Sequence, residues 1–152
     1  MFTLPIEFGT PAYDQAVALR QKALLDPLQL EFLPQELQRE CLDGHLACYS
    51  EHWRMLGCLV LGPEDSNQRL QIRQVAVREE VQKKGVGSAL LQAAEQRAAA
   101  HGYREVVVAV HEKAQPFYQK LGYRKFGRSF TEKGIKHVRL KKALPGAEDG
   151  EE

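Results

Sequence analysis

The segment Gln82-Lys83-Lys84-Gly85-Val86-Gly87-Ser88 lies between a predicted strand that ends at Val77 and the most regular helical pattern of the chain. Backbone N–H groups at the start of a helix have no intrahelical acceptor and carry a partial positive charge, so they bind phosphate oxygens. Glycine at positions 85 and 87 lets a ligand approach the backbone closely, because no Cβ atom intervenes. The segment therefore predicts a phosphate-binding turn whose ligand is a diphosphate.

Two common nucleotide-binding motifs do not fit this segment. A Rossmann motif requires Gly-x-Gly-x-x-Gly directly after the first strand and an acidic residue about 20 positions further on. A Walker A loop requires Gly-x-x-x-x-Gly-Lys-[Ser/Thr], which Gly85-Val86-Gly87-Ser88 does not supply. On these residues alone, a purely structural turn with solvent-facing lysines stays open.

The sequence around the turn has the pattern strand, helix, strand. Leu70 to Val77 alternates apolar and polar residues, with a change of phase at Arg73-Gln74 that predicts a bulge. Apolar residues of segment 86–98 fall on one helical face, and Gly102 follows where a C-cap glycine belongs. Residues 106–110 are all apolar, which predicts a strand covered on both faces and a parallel crossover. The predicted fold class is α/β (α+β) with a mixed sheet.

The rest of the chain predicts further helices and hairpins. On the N-terminal side we expect a strand at 4–8, a helix from Pro11 to the Asp26-Pro27 stop, helical structure over 28–42, and a hairpin of 45–49 and 55–62. On the C-terminal side we expect a helix at 114–121 and a hairpin of 123–130 and 135–140. Residues 1–142 are predicted to form one domain, and residues 143–152 an acidic, disordered tail.

Composition excludes several classes of protein. The 152 residues suit one domain, and 21 basic residues nearly balance 20 acidic ones. No basic stripe interleaved with aromatic residues is present, so a nucleic-acid-binding domain ranks last. The longest uncharged apolar run, residues 55–62, is far shorter than the roughly 20 residues of a membrane helix.

The cysteines indicate a reducing compartment. Their number is odd and they form no Cys-x-x-Cys pair, which is typical of a cytoplasmic protein without a secretory signal. Cys41, His45, Cys48 and His52 superficially offer four metal ligands. On a strand, however, His45 and Cys48 point to opposite faces, so we expect no metal site.

Two motifs carry a family resemblance. Gln82, Gly85 and Gly87 fill the signature [Arg/Gln]-x-x-Gly-x-[Gly/Ala], and residues 114–123, Ala-Gln-Pro-Phe-Tyr-Gln-Lys-Leu-Gly-Tyr, fill A-x-x-F-Y-x-K-L-G-[FY]. On these motifs the chain resembles the GNAT superfamily of acetyl-CoA-dependent N-acetyltransferases. A final element, Phe130-x-Glu132-x-Gly134-Ile135-x-His137, is similar to a bacterial subgroup of small, uncharacterised members. The likeness then covers nearly all of residues 1–142.

The resemblance implies a fold, a co-substrate and a reaction. The fold would be the acyl-CoA N-acyltransferase fold, a central mixed sheet of about six or seven strands flanked by helices. Acetyl-CoA would be the co-substrate, without a metal, and its acetyl group would pass directly to a primary amine in a ternary complex. The implied coenzyme A contacts are Val75, Val77, Gln82, Lys83, Lys84, Gly85, Val86, Gly87 and Ser88.

The resemblance also implies which residues handle protons. Tyr118 matches the tyrosine that the superfamily often uses as a general acid toward the leaving thiolate, and a phenol with a pKa near 10 is protonated at neutral pH. Gln71, Arg73 and Gln74 occupy the strand positions where a base is often found, but they accept protons poorly. His137 is the candidate base, acting through water. Plainer interpretations stay open: Tyr118 as a packed aromatic and His137 as a surface residue.

Two functional classes follow from these assignments. The first is an N-acetyltransferase that acts on a small-molecule or peptide amine, with no nucleic-acid or membrane partner and with a homodimer as one expected state. The second is a non-catalytic acyl-CoA-binding module that regulates or assembles partners. The resemblance places Asp26, Glu31 and Glu132 around the acceptor entrance, where they would favour a cation.

Overall fold

A computed structural model describes residues 1–64 and 68–146 of the chain. Its strands are β1 (Phe2–Ile6), β2 (Gly44–Tyr49), β3 (Met55–Pro63), β4 (Arg69–Val77), β5 (Glu105–His111), β6 (Arg124–Glu132) and β7 (Ile135–Ala143). Its α-helices are α1 (Pro11–Arg20), α2 (Pro34–Gln38), α3 (Val86–Ala100) and α4 (Gln115–Lys120). The strands form a seven-stranded sheet in the order β1-β2-β3-β4-β5-β7-β6, with β4 and β5 parallel. The predicted mixed sheet with flanking helices is confirmed.

The described chain divides into two compact units. The first comprises Met1–Gly62 and Arg73–Ala94, and the second comprises Pro63–Ile72 and the chain from Glu95 onward. In the first unit a buried cluster joins α1 to the strands: Ala16, Leu19, Ala47, Tyr49, Met55, Cys58 and Ala76. In the second unit the buried residues of β5 and β7 are Val106, Val107, Val108, Val138 and Leu140. Burial of this apolar surface is the main stabilising contribution within each unit.

Local sequence sets the position of α1 and of the start of α3 in the first unit. The Thr10 side chain accepts a hydrogen bond from the Tyr13 N–H at 3.3 Å, and Pro11 takes the first helical position, so α1 begins where the sequence predicts. On β3, a Cβ atom at Gly57 would lie 2.9 Å from both the Ala76 carbonyl oxygen and Val86 Cγ1. Glycine at position 57 therefore permits the close packing of the start of α3 against β3.

Gln74 lies where the sequence predicts a bulge in β4, and its backbone is left-handed. This residue has a φ of 57°, a left-handed conformation that non-glycine residues adopt at a cost. The buried residues of β4 are Leu70, Ile72 and Ala76, whereas Val75 and Val77 are half-buried, so the predicted change of phase was wrong for burial. The pairs between β4 and β5 run from Arg69↔Glu105 to Ile72↔Val108, and each strand continues beyond them.

Three predicted elements differ from the structure. β1 begins and ends two residues earlier than predicted, because the strand tolerates Pro5 at the edge of the sheet. Only Pro34–Gln38 is α-helical within the predicted helical stretch 28–42, since Gln29 is left-handed with a φ of 57°. The prediction of a strand covered on both faces over 106–110 was wrong at its end: Ala109 is exposed and Val110 is half-buried.

The C-terminal strand extends slightly beyond the predicted domain boundary. β7 continues to Ala143, and Leu144 is buried at 3% exposure. The rest of the predicted tail, residues 147–152, lies outside the described residues. Across ranges 1–64 and 68–146, no helix has the length and apolar character needed to cross a membrane.

Candidate functional site

The turn before α3 presents a row of unpaired backbone donors. In the described part of the chain, the six N–H groups from Lys83 to Ser88 have no hydrogen-bond acceptor. The first bond of α3 runs from the Ala89 N–H to the Gly85 oxygen at 3.0 Å. Lys83 and Gly85 are both left-handed, with φ of 64° and 88°. Successive free amides at the start of a 15-residue helix form an anion-binding turn.

One side chain of this turn is buried, and three others are exposed. Val86 is buried at 2% exposure, and it fixes the start of α3. Gln82, Lys83 and Lys84 are exposed, so the two ammonium groups add positive potential at the surface. At Gly85 the nearest atom to an added Cβ would be Met1 Cε at 3.5 Å, an ordinary contact. Glycine is therefore required there by the backbone conformation rather than by lack of space.

A cavity of about 670 Å³ lies within the first unit, and several of its lining residues directly precede this turn in the sequence. Its walls come from α1 and the residues that follow it, from the turn before β3 with the start of β3, and from the end of β4 with the segment up to Gln82. Leu19, Met55 and Val77 supply apolar surface to the cavity, and Lys22 and Arg78 supply positive charge. The volume is that of a small-molecule site.

Arg78 is held in a fixed position on this cavity. Its Nε donates to the Met55 carbonyl oxygen at 2.5 Å, and its backbone N–H donates to the Leu56 oxygen at 2.9 Å. No acceptor in the described chain takes the terminal guanidinium nitrogens of Arg78. The guanidinium therefore presents two free NH₂ groups in one orientation, the arrangement that binds a carboxylate in a bidentate manner.

A buried ionic network connects α1 to β4. Arg20, only 1% exposed, donates to both carboxylate oxygens of Glu40 at 2.8 and 2.5 Å. The Tyr13 hydroxyl donates to Glu40 Oε1 at 2.8 Å, and Arg20 Nε donates to Gln74 Oε1 at 3.4 Å. Burial alone would raise the pKa of Glu40, but the hydrogen bonds and charge of Arg20 outweigh it and lower that pKa. The network holds a carboxylate ionised inside the protein and contacts the left-handed residue of β4.

Tyr118 combines a buried ring with an accessible hydroxyl. It lies on α4 at 5% exposure and packs edge-on against Phe117 and Tyr123, with ring centroids 5.1 and 5.6 Å away. Its hydroxyl has no hydrogen-bond partner among the described residues, yet no fully buried side-chain oxygen there lacks one. The hydroxyl therefore reaches solvent. Burial raises the pKa of Tyr118 to about 12, so the phenol is protonated at neutral pH.

His137 lies in a small aromatic and acidic cluster of the second unit. Its Nδ1 is 2.9 Å from the Ile135 oxygen, and its Nε2 is 3.8 Å from Glu132 Oε2. The His111 ring is 4.8 Å away and the Phe130 ring 5.5 Å away, centroid to centroid. Burial, and then the charge of His137, lower the pKa of His111. The His137 side chain is only 12% exposed, so it is not an ordinary surface histidine.

The cysteines of the described chain are free thiols. Among residues 1–64 and 68–146, no group of three or more His, Cys, Asp or Glu side chains could hold a metal ion. Cys41 is exposed, and Cys48 and Cys58 are buried. Burial raises the pKa of the Cys58 thiol to about 12, so this cysteine is an unreactive core residue.

Comparisons with known proteins agree with this fold. A family model described as an acetyltransferase (GNAT) domain matches residues 21–144. A UPF0039 protein from Schizosaccharomyces pombe is 31% identical over 111 residues, 72% of each chain. An acyl-CoA N-acyltransferase from Pseudomonas aeruginosa has a TM-score of 0.76 at 19% identity, covering 94% of this chain and 100% of that one. A GNAT family acetyltransferase from Elizabethkingia anophelis with acetyl-CoA bound has a TM-score of 0.70 at 23% identity, covering 93% and 97%.

The sheet, the turn and the matched family model together define the class of protein. The chain belongs to the GNAT acetyltransferase family, so the predicted superfamily is confirmed. It is accordingly an acetyl-CoA-dependent acetyltransferase, as the sequence predicted.

Proposed function

We propose that the enzyme transfers the acetyl group of acetyl-CoA to a primary amine by direct attack in a ternary complex. The observation that carries this proposal is the row of six unpaired N–H groups from Lys83 to Ser88. These amides bind the pyrophosphate of coenzyme A, and Gln82 borders them. The half-buried backbone of Val75 and Val77 pairs with pantetheine as an added strand would.

Two side chains handle the protons of the reaction. The amine nitrogen forms a bond to the acetyl carbonyl carbon, and the bond from that carbon to sulfur breaks. The N–H of Val75 polarises the carbonyl oxygen during this step. Tyr118 donates its hydroxyl proton to the leaving sulfur, and His137 accepts the proton of the amine through a water molecule. The hydroxyl of Tyr118, which has no other hydrogen-bond partner among the described residues, supports the first assignment, and its raised pKa only keeps the phenol protonated at neutral pH.

The acceptor amine belongs to a small molecule or a peptide, and we place the reaction in the cytoplasm. The free thiols of Cys41, Cys48 and Cys58 support a reducing compartment.

Coenzyme A binding tests the role of the turn most directly. We expect Gly85→Ala to raise the Kd for coenzyme A about tenfold or more, which corresponds to about 1.4 kcal/mol. Alanine at a φ of 88° is strained, and relief of that strain turns the neighbouring amides away from the phosphates. Isothermal titration calorimetry measures the affinity.

Gly102→Ala is the matched control for this variant. Gly102 has a φ of 86° and nothing within 4 Å of an added Cβ, so the backbone strain is the same. We expect Gly102→Ala to lower the melting temperature as much as Gly85→Ala does while leaving the Kd unchanged. Equal affinity of the Gly85→Ala variant and the parent would remove the turn from the coenzyme A site.

The pH dependence of kcat/KM tests His137 as the base. A base must be neutral to accept a proton, so the kcat/KM of the parent should show an acidic limb. We expect His137→Gln to lower kcat/KM about 100-fold and to flatten this acidic limb. His101→Gln, at an exposed position at the end of α3, is the control and should leave the profile unchanged. An unaltered acidic limb in His137→Gln would assign the base elsewhere.

A further inference from the structure

We propose that the cavity of the first unit binds the acceptor and that the acceptor amine also carries a carboxylate, the chemistry of an amino acid. The proposal rests on the acetyltransferase function proposed above and narrows its substrate class. It differs from the expectation for a cationic acceptor, which placed Asp26 and Glu31 at the entrance. Neither residue lines the cavity, and Asp26 Oδ1 already accepts a hydrogen bond from Gln21 Nε2 at 2.7 Å.

The charged groups of the cavity leave an excess of positive charge for a ligand. Arg54 and Glu80 pair with each other at 2.6 Å, so they largely cancel. Lys22, Arg78 and Glu79 form no ion pair within 4.0 Å in the described chain, although the charge of Arg78 also lowers the pKa of Glu80. The lining thus carries three cations and two carboxylates, an excess of one positive charge. They complement a molecule that carries both an anionic group and an amine, and they disfavour a polycation.

Arg78 supplies the specific recognition of the carboxylate. Its Nε bond to the Met55 oxygen fixes the guanidinium plane before any ligand arrives. The terminal nitrogens are left for two parallel N–H···O bonds, which a carboxylate matches in geometry. Because Arg78 is half-buried, these bonds form in a partly desolvated environment, where charge-assisted hydrogen bonds are stronger.

Trp53 forms an aromatic wall of the same cavity at a conformational cost. It has a φ of 64° in the turn before β3, a conformation that costs a non-glycine residue about 1–2 kcal/mol. Its indole packs edge-on against Phe2, with ring centroids 4.9 Å apart, and remains 66% exposed. Strained residues are concentrated at functional sites. With Leu19 and Met55, the indole provides apolar surface for the side chain of the amino acid.

Trp53 also makes the cavity directly observable, because it is the only tryptophan of the protein. Titration with L-leucine should change its fluorescence to saturation, whereas 3-methylbutylamine, which lacks only the carboxylate, should not. Arg78→Gln should abolish the saturable change, and Arg128→Gln, at an exposed arginine elsewhere, should retain it. A thermal melt of each variant, and Arg78→Lys as a second replacement, separate loss of binding from loss of folding.

Turnover is then measured as free-thiol release from acetyl-CoA with aliphatic amino acids and with the amines formed by their decarboxylation. We expect kcat/KM to be at least about 10-fold higher for the amino acids than for the corresponding amines. Arg78→Gln should lower kcat/KM for the amino acids about 10- to 100-fold, because it raises the KM of the acceptor. The KM of acetyl-CoA should stay within about twofold of the parent value.

These experiments distinguish a failure of the substrate inference from a failure of the proposed acetyltransferase function. Faster thiol release with decarboxylated amines or with spermidine would overturn the inference and leave the acetyltransferase function intact. The same conclusion would follow if the main effect of Arg78→Gln were a rise in the KM of acetyl-CoA. Equal fluorescence responses to L-leucine and 3-methylbutylamine would also overturn it. Saturable binding of L-leucine without thiol release from any amine would support the binding site and contradict the proposed function.

Discussion

Tyr118→Phe is expected to lower kcat about 100- to 1,000-fold while leaving the affinity for acetyl-CoA unchanged. The substitution removes only the hydroxyl, and the ring keeps its edge-on contacts with Phe117 and Tyr123. Without the phenol, the thiolate of coenzyme A leaves unprotonated, which raises the barrier of the step. Steady-state and single-turnover rates of thiol release should fall together, since the second measurement excludes product release.

The pH profile of the parent gives a second test of Tyr118. Burial raises its pKa to about 12, so the phenol remains protonated throughout the range in which activity is measured. An acid loses activity as the pH rises through its pKa, and no alkaline limb from Tyr118 should therefore appear below about pH 11. A limb near pH 9 that disappears in Tyr118→Phe would contradict the proposed environment of this residue.

Tyr123→Phe is the matched control. Tyr123 is also buried and aromatic, but its hydroxyl donates to Glu95 Oε2 at 2.7 Å. Its loss should cost about 1 kcal/mol of unfolding free energy and leave kcat within about twofold. A Tyr118→Phe variant that retains the kcat of the parent would make Tyr118 a core aromatic. No turnover in the parent with any amine, despite tight acetyl-CoA binding, would favour the non-catalytic acyl-CoA-binding module.

The elements set by local patterns were predictable from the sequence. The helical face of α3, its start at Val86 and the glycine at 102 depend on residues close in the chain, and the structure reproduces them. The break in the apolar alternation at Arg73-Gln74 coincides with the left-handed residue Gln74, but the buried residues of β4 keep one phase from Leu70 to Ala76. The helical stretch 28–42 was overpredicted, since apolar spacing does not reveal a left-handed residue such as Gln29.

The cavity and the buried network could not be predicted, because they depend on residues distant in the chain. Trp53 reaches the cavity by a left-handed turn in which a bulky residue is unexpected. Glu40 is 20 residues from Arg20, and no local pattern pairs them. One signal was available: Arg20 continues the helical spacing of Tyr13, Ala16 and Val17. A charged residue on an apolar face requires a buried partner.

Removing one partner of this buried pair should have the largest effect on stability. We expect Arg20→Met and Glu40→Gln each to lower the free energy of unfolding by about 3–5 kcal/mol, because each leaves a buried polar or charged group without its partner. At this chain length the melting temperature falls by about 2–4 °C for each kcal/mol. Chemical denaturation of each variant gives the free energy.

The double variant Arg20→Met/Glu40→Leu separates pairing from packing. Both charges are then gone, and apolar side chains of similar size fill the site, so we expect a smaller loss than from either single variant. Lys136→Met is the control for an ordinary ion pair: Lys136 and Glu112 are 2.9 Å apart but 60% and 49% exposed, so their separation should cost far less stability than either single variant of the buried pair. Additive losses in the double variant would show that Arg20 and Glu40 stabilise the fold independently.

The pH dependence of stability follows from the lowered pKa of Glu40. A carboxyl whose pKa is lower in the folded than in the unfolded protein contributes stability above its unfolded pKa, about 4.3, and loses that contribution as the pH falls through its folded pKa. The parent should therefore lose stability below about pH 4 more steeply than Glu40→Gln does, and the two curves should converge in acid. The same protonation weakens the bonds of Arg20, which also contacts Gln74 of β4. A parent protein whose acid unfolding matches that of Glu40→Gln would mean that Glu40 is not held ionised by Arg20.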